Sequence, residues 1–164
     1  MAQNNSIQID RFDRAILEEL ARDSRQTQAM LADRVGLSPT AVARRQKTLE
    51  DAGYIKAYHA DLDLGRLDLG AVAFVTITLD SQSDEALDQF EQAVSTSPSV
   101  MSCHLMSGAQ DYLLAIRASS LDDFARIHRA ELAHLPRVSR MESHFALKEV
   151  VNRPVPLGLF GKRR

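Results

Sequence analysis

The chain has no tryptophan and one cysteine, and phenylalanine and tyrosine together make up only 5% of its 164 residues. A single cysteine, Cys103, excludes an internal disulfide and a cysteine-built zinc site, and it suits a reduced compartment. No apolar run approaches the roughly 18 residues of a membrane span, so no membrane partner is expected. Met1 to Gln8 is polar and lacks the apolar stretch of a secretory signal, so a cytoplasmic protein is expected. A catalytic constellation is also missing. Cys103 and His104 are neighbours on an apparent strand, where adjacent side chains point to opposite faces and are badly placed to share a proton. A packed thiol beside an exposed histidine is the plainer reading. His59, His128, His134 and His144 are scattered, and the spacing between His128 and His134 suits no helical metal site. No enzyme, no metal and no cofactor are expected.

Charge of one sign is lacking as well. The net charge is −2, which does not by itself point to nucleic acid. Residues 1–62 hold nine basic and nine acidic residues, so any DNA contact needs a local basic surface. One stretch provides it: Ser38 to Leu49 carries Arg44, Arg45 and Lys47 and no acid.

With 45% hydrophobic residues, the chain can bury a core, and its length allows two small domains. Phe12, Ile16, Leu17 and Leu20 share a helical face over Asp10–Arg22. Thr27 can cap a second helix reaching Val35, which Gly36 stops by taking a left-handed conformation. Ser38 at N-cap with Pro39 at N1 starts a third, ending near Ala52 and Gly53. Two helices joined by Gly36-Leu37-Ser38 have the tight connection of a helix-turn-helix. Tyr54–Leu62 is rich in β-formers and suits a short hairpin or wing. The linker is residues 63–70, with two glycines. The domains expected are therefore 1–62 for DNA and 71–164 for an α/β fold with a C-terminal arm.

In that second domain the periods change. Ala73, Val75, Ile77 and Leu79 alternate as a strand. Leu87, Phe90 and Val94 are helix-spaced. Val100–Ser107 and Asp111–Ala118 read as strands around a Gly108-Ala109-Gln110 turn. Leu121 to Leu135 suits a helix that Pro136 ends, and Met141 to Leu147 alternates again. The order β-α-β-β-α-β is the ferredoxin-like pattern, so the fold class is α+β. The acids of Asp84–Glu91 read as a solvated helix face. The arm around Leu157–Phe160 is apolar enough to pack on a partner subunit, and it ends in the basic Lys162–Arg164.

With Val42 of the third helix as reference, Leu49 lies about 20° away, so Val42 and Leu49 define the inward face, and Gln46 falls near it at about 40°. Gln46 must therefore find a hydrogen-bond partner or sit at the boundary. Thr40, Arg44, Lys47 and Thr48 fall opposite, and hydroxyls and cations without an acid suit a major groove. Arg45 lies on the flank, where it either holds phosphate or braces a neighbouring helix. A merely solvated face is the competing reading, and the tight turn before the helix favours DNA.

The residues from Ile9 to Asp63 resemble the N-terminal domain of the Lrp/AsnC family, the feast/famine regulators. The resemblance rests on Asp13 with Ile16-Leu17, Asp23 with Arg25, Leu31-Ala32, Val35-Gly36-Leu37-Ser38-Pro39, Arg45, Leu49-Glu50, Gly53 and Ile55. It continues in Val100, in Gly108 with Asp111-Tyr112-Leu113-Leu114, and in Leu135-Pro136 with Val138. It implies a sequence-specific transcriptional regulator with a winged helix-turn-helix, binding a roughly palindromic double-stranded operator. It also implies a homodimer formed through the α/β domain and built up further, commonly to an octamer. A small effector, most often an amino acid, would bind between dimers near the glycine turn. Carried over, Ser38, Thr40, Arg44, Arg45, Lys47 and Thr48 are the DNA-binding candidates. Leu105, Met106, Ser107, Gly108, Ala109, Gln110 and Asp111 are the effector candidates. Glycine lets backbone groups approach closely, and Asp111 would pair with an ammonium, although Gly and Asp are also ordinary hairpin residues. Ala109 and Gln110 stand where the family often has an acid and an aromatic, a difference that bears on effector choice. The alternative of another class is an architectural protein that coats DNA with little sequence preference and no effector.

Overall fold

Asp10 caps the first helix, α1 (Arg11–Arg22), through a reciprocal box. Its Oδ1 accepts from the backbone N–H of Phe12 and Asp13 at 2.8 and 3.0 Å, and Asp13 Oδ2 accepts from the Asp10 N–H at 3.0 Å. The computed structural model describes residues 7–153 together with 155 and 156. Thr27 caps α2 (Gln28–Val35), and Gly36, with φ 72°, turns the chain out of it. Ser38 caps α3 (Pro39–Asp51), and Gly53, with φ 75°, closes that end. Each boundary lies where the local cap chemistry puts it. Ile16, Leu20, Leu31, Ala32, Val42 and Leu49 form the core between these helices.

Residues 54–61 carry no strand pairing; they begin with a bend at Tyr54 and Ile55, whose N–H groups donate to Leu49 O at 2.9 and 3.3 Å. The segment has β-forming residues but no turn dipeptide to fold it onto itself, so the hairpin form of the wing is absent. The linker is not featureless. Leu69 N–H donates to Leu64 O at 2.8 Å and Arg66 N–H to Asp63 O at 3.1 Å, folding residues 63–69 into successive turns.

The second half runs β1 (Ala71–Leu79), α4 (Asp84–Val94), β2 (Val100–Leu105), β3 (Tyr112–Ala118), α5 (Leu121–Ala130), a short 3-10 turn at Leu132–His134, and β4 (Val138–Phe145). The strands form one antiparallel sheet in the order β2-β3-β1-β4. Two split βαβ units interlock in it: β3 enters between β1 and β2, and β1 between β3 and β4. Alternation then sorts the side chains. Ala73, Val75, Ile77, Leu114 and Ile116 face α4 and α5 in the core. Phe74, Thr76, Thr78, Leu113, Ala115, Arg140, Glu142 and His144 take the opposite face.

The chain divides into two compact units, Met1–Asp61 with Val151–Arg164, and Leu62–Val150. The apolar Leu157–Phe160 and the basic Lys162–Arg164 lie outside the described residues.

Candidate nucleic-acid interface and effector site

Ser38 Oγ accepts from the Ala41 N–H at 3.2 Å, so this hydroxyl fixes the start of α3. Val42 and Leu49 are fully buried, which sets the rotation of the helix. Thr40, Arg44, Lys47 and Thr48 are consequently exposed. The Arg44 guanidinium has no partner among the described residues. Lys47 Nζ lies 3.1 Å from Asp51 Oδ1, but both side chains are well exposed, and so screened a pair exchanges readily for phosphate. The Thr48 hydroxyl donates to Arg44 O at 3.0 Å, leaving its oxygen free to accept.

Arg45 has another place. Its Nη1 lies 2.8 Å from Asp13 Oδ1 and 2.9 Å from Asp10 Oδ2, and its guanidinium sits 5.6 Å from the Phe12 ring centre. It braces α3 against the start of α1, one of the two places expected for it on the flank. The sequence missed a second brace. Glu19 is buried on α1, with Arg34 of α2 at 2.7 Å and Arg22 at 3.2 Å. Gln46 finds its partners at the boundary. Its Oε1 accepts from Gln28 Nε2 at 2.7 Å, and its Nε2 donates to Tyr58 Oη at 2.7 Å. The Tyr58 hydroxyl in turn donates to Glu50 Oε1 at 2.6 Å. Burial first, and then that bond to a carboxylate, push the Tyr58 phenol above its ordinary range.

In the second unit the candidates separate. Met106 N–H donates to Asp111 O at 2.8 Å and closes the turn, in which Gly108 has φ 154°. Asp111 is buried, with Oδ2 taking the Leu79 N–H at 2.7 Å and Oδ1 the Gln82 amide at 2.8 Å. It anchors the turn to the end of β1. Ala109 and Gln110 open onto a recess of about 210 Å³ whose other walls are Thr76, Thr78, Arg140 and Glu142. Leu105 opens instead onto a separate hollow with Cys103, Glu91 and Tyr112. Met106, Ser107 and Gly108 are exposed and line neither. Burial, together with the nearby Glu91 charge, raises the Cys103 pKa, so this thiol is a poor nucleophile.

The residues of the first recess come together through sheet register. Thr78 pairs with Arg140 and Thr76 with Glu142, while the β2–β3 turn supplies Ala109 and Gln110. Arg140 Nη2 lies 2.5 Å from Glu142 Oε1. Alternation along β4 gave no hint that these two residues would face that turn.

A helix-turn-helix with an exposed cationic face and a separate antiparallel α+β unit define a DNA-binding regulator rather than an enzyme, and relatives agree. Residues 9–56 match the winged helix-turn-helix DNA-binding family, and residues 72–156 match the Lrp/AsnC ligand binding domain. The Bkd operon transcriptional regulator of Pseudomonas aeruginosa is 38% identical over 149 residues, covering 91% of this chain and 97% of the relative. The leucine-responsive regulatory protein of Escherichia coli K12 is 37% identical over 142 residues, covering 87% of each. A transcriptional regulator of Neisseria meningitidis, solved as an L-Met complex, superposes with a TM-score of 0.84 at 33% identity, over 92% of this chain and 97% of that one. The chain belongs to the Lrp/AsnC family of DNA-binding transcriptional regulators. No helix among the described residues is long and apolar enough to cross a membrane.

Proposed function

We propose that this protein is a sequence-specific, effector-modulated transcriptional regulator working in the cytoplasm. The exposed face of α3 carries the reading: Arg44 without a partner among the described residues, flanked by Thr40, Lys47 and Thr48. Arg44 reads a base edge, Lys47 neutralises phosphate, and the start of α3 at Ser38 approaches the backbone. A homodimer presents two such helices to successive major grooves of a roughly palindromic site, about one helical turn apart. The open face of the sheet supports self-association, because Phe74 is half-exposed there beside Leu113 and Ala115. Assembly of such dimers, as far as an octamer, lets one particle hold several sites.

The effector is an amino acid bound at the recess beside the Gly108 turn. Support comes from the matched ligand-binding domain and from the L-Met complex of the Neisseria regulator. It acts by binding one assembly or conformation better than another. Selection of bound duplexes from a random pool tests the DNA reading. One operator should be held at least ~10³-fold better than random DNA at equal salt. Equal affinity for all duplexes would establish the architectural alternative instead.

A further inference from the structure

Rotation of α3 puts Gln46 about 40° and Glu50 about 80° from Val42, between the buried face and Lys47 at about 140°. The Tyr58 hydroxyl closes on that flank. It accepts from Gln46 Nε2 at 2.7 Å and donates to Glu50 Oε1 at 2.6 Å, and Gln46 Nε2 also lies 3.2 Å from Glu50 Oε1. At its other end, Gln46 Oε1 accepts from Gln28 Nε2 of α2 at 2.7 Å. One side chain thus ties both the start of α2 and the segment after α3 to the recognition helix. That segment has an earlier tie as well. Ile55 packs partly buried against the three-helix core, and its N–H donates to Leu49 O. Lys56 falls between the ties at Ile55 and Tyr58. It is exposed and has no partner among the described residues, and residues 54–60 hold no acid.

Resting on the DNA reading above, we propose that Gln46 and Tyr58 are positioning residues: they hold the segment around Lys56 on the flank of α3, so that Lys56 adds a phosphate contact to that of Lys47. Stability alone does not call for this cluster. Each bond of a half-buried amide replaces a bond to water, so its net contribution is small. Tyr58 is 45% exposed, so burial does not fix its ring either. Directional hydrogen bonds supply what apolar contact lacks, a set angle between the segment and the helix. A lysine on a loose segment must be ordered as it binds. Its contact is then made for less of the time, and fewer counterions leave the DNA.

The test is DNA binding by the full-length protein and by its Gln46→Leu, Tyr58→Phe, Lys56→Ala and combined Gln46→Leu/Lys56→Ala variants. Binding is followed over a range of salt on a selected operator and on random DNA, with melting measured for each variant. Lys56→Ala should flatten the salt dependence by a slope of about one on both DNAs. Gln46→Leu and Tyr58→Phe should flatten it in the same direction with melting at or above wild type, and the combined variant should be no flatter than Lys56→Ala. A wild-type slope in Lys56→Ala overturns the phosphate contact, and the proposal with it. A wild-type slope in either Gln46→Leu or Tyr58→Phe, beside a flattened Lys56→Ala, overturns the positioning role. So does flattening that adds up in the combined variant, because Gln46 would then act independently of Lys56. A lowered melting temperature in both Gln46→Leu and Tyr58→Phe assigns the loss to structure and overturns it too. Equal affinity of the wild type for operator and random DNA overturns the sequence-specific reading and leaves this inference, which concerns phosphate, standing.

Discussion

Six buried apolar residues close the three-helix core, whereas fourteen line the core of the α/β unit among the described residues. The smaller core is backed by polar braces: Glu19 to Arg34, Arg45 to Asp13 and Asp10, and Gln46 to Gln28 and Tyr58. In the α/β unit the helices and sheet meet through aliphatic and aromatic contact, with Asp111 as the one buried charged residue. The difference separates two neighbouring arginines on α3. Arg45 is part of what holds the helices together, and the Arg44 guanidinium has no partner among the described residues. Cations near a binding face thus divide into those the fold already occupies and those still available.

The largest expected effect comes from the small core. Leu49→Ala removes a fully buried side chain and should cost about 2–5 kcal/mol. The comparison predicts a melting curve that splits, with the helical unit lost first and the sheet retained. A single unshifted transition would mean that the two units do not differ in this way. Asp111→Ala comes next, at about 1–3 kcal/mol, because it leaves the Leu79 N–H and the Gln82 amide without their acceptor. Its loss should appear in the melting of the α/β unit. Arg45→Ala should destabilise the helical unit by about 1–2 kcal/mol, since it leaves the mostly buried Asp13 carboxylate with only its capping bond. Lys47→Ala should leave the melting unchanged and flatten the salt dependence of DNA binding by a slope of about one.

The smallest effect is acid sensitivity of the α1 start. The Asp13 N–H, and after it the Phe12 N–H and Arg45, hold the Asp10 carboxyl below its ordinary 3.8, although partial burial opposes them. A lowered folded pKa contributes stability above the unfolded value, and that contribution is lost as pH falls through the folded value. Melting between pH 5 and 2 should therefore show a loss below about pH 4 that Asp10→Asn reduces.

Helix limits and strand order were legible because their causes are local or periodic. Asp10, Thr27, Ser38-Pro39 and Gly36 act on the next turn of chain, and inward residues recur at fixed intervals along each element. The outward face of α3 followed from the same periodicity. Partnership between distant residues was not legible. Arg45 meets Asp13, and Asp111 meets Leu79, each across 32 positions. A flanking arginine and a turn aspartate look alike on the page whether they are buried by such partners or open to a ligand. The Thr78–Arg140 wall of the recess depends on β1–β4 register, which only the folded sheet sets. Whether residues 54–61 would pair as strands was not legible either, because a ladder needs a partner strand.

The division of labour between Arg44 and Arg45 is tested most directly by measuring the affinity of wild type, Arg44→Ala and Arg45→Ala for a selected operator and for random DNA at one salt concentration, with melting followed in parallel. Arg44→Ala should lose about 1–3 kcal/mol on the operator and much less on random DNA, with melting unchanged. Arg45→Ala should lower the melting temperature and leave the ratio of operator to random affinity near wild type. Equal losses on both DNAs for Arg44→Ala, or collapse of that ratio in a folded Arg45→Ala, would contradict the account.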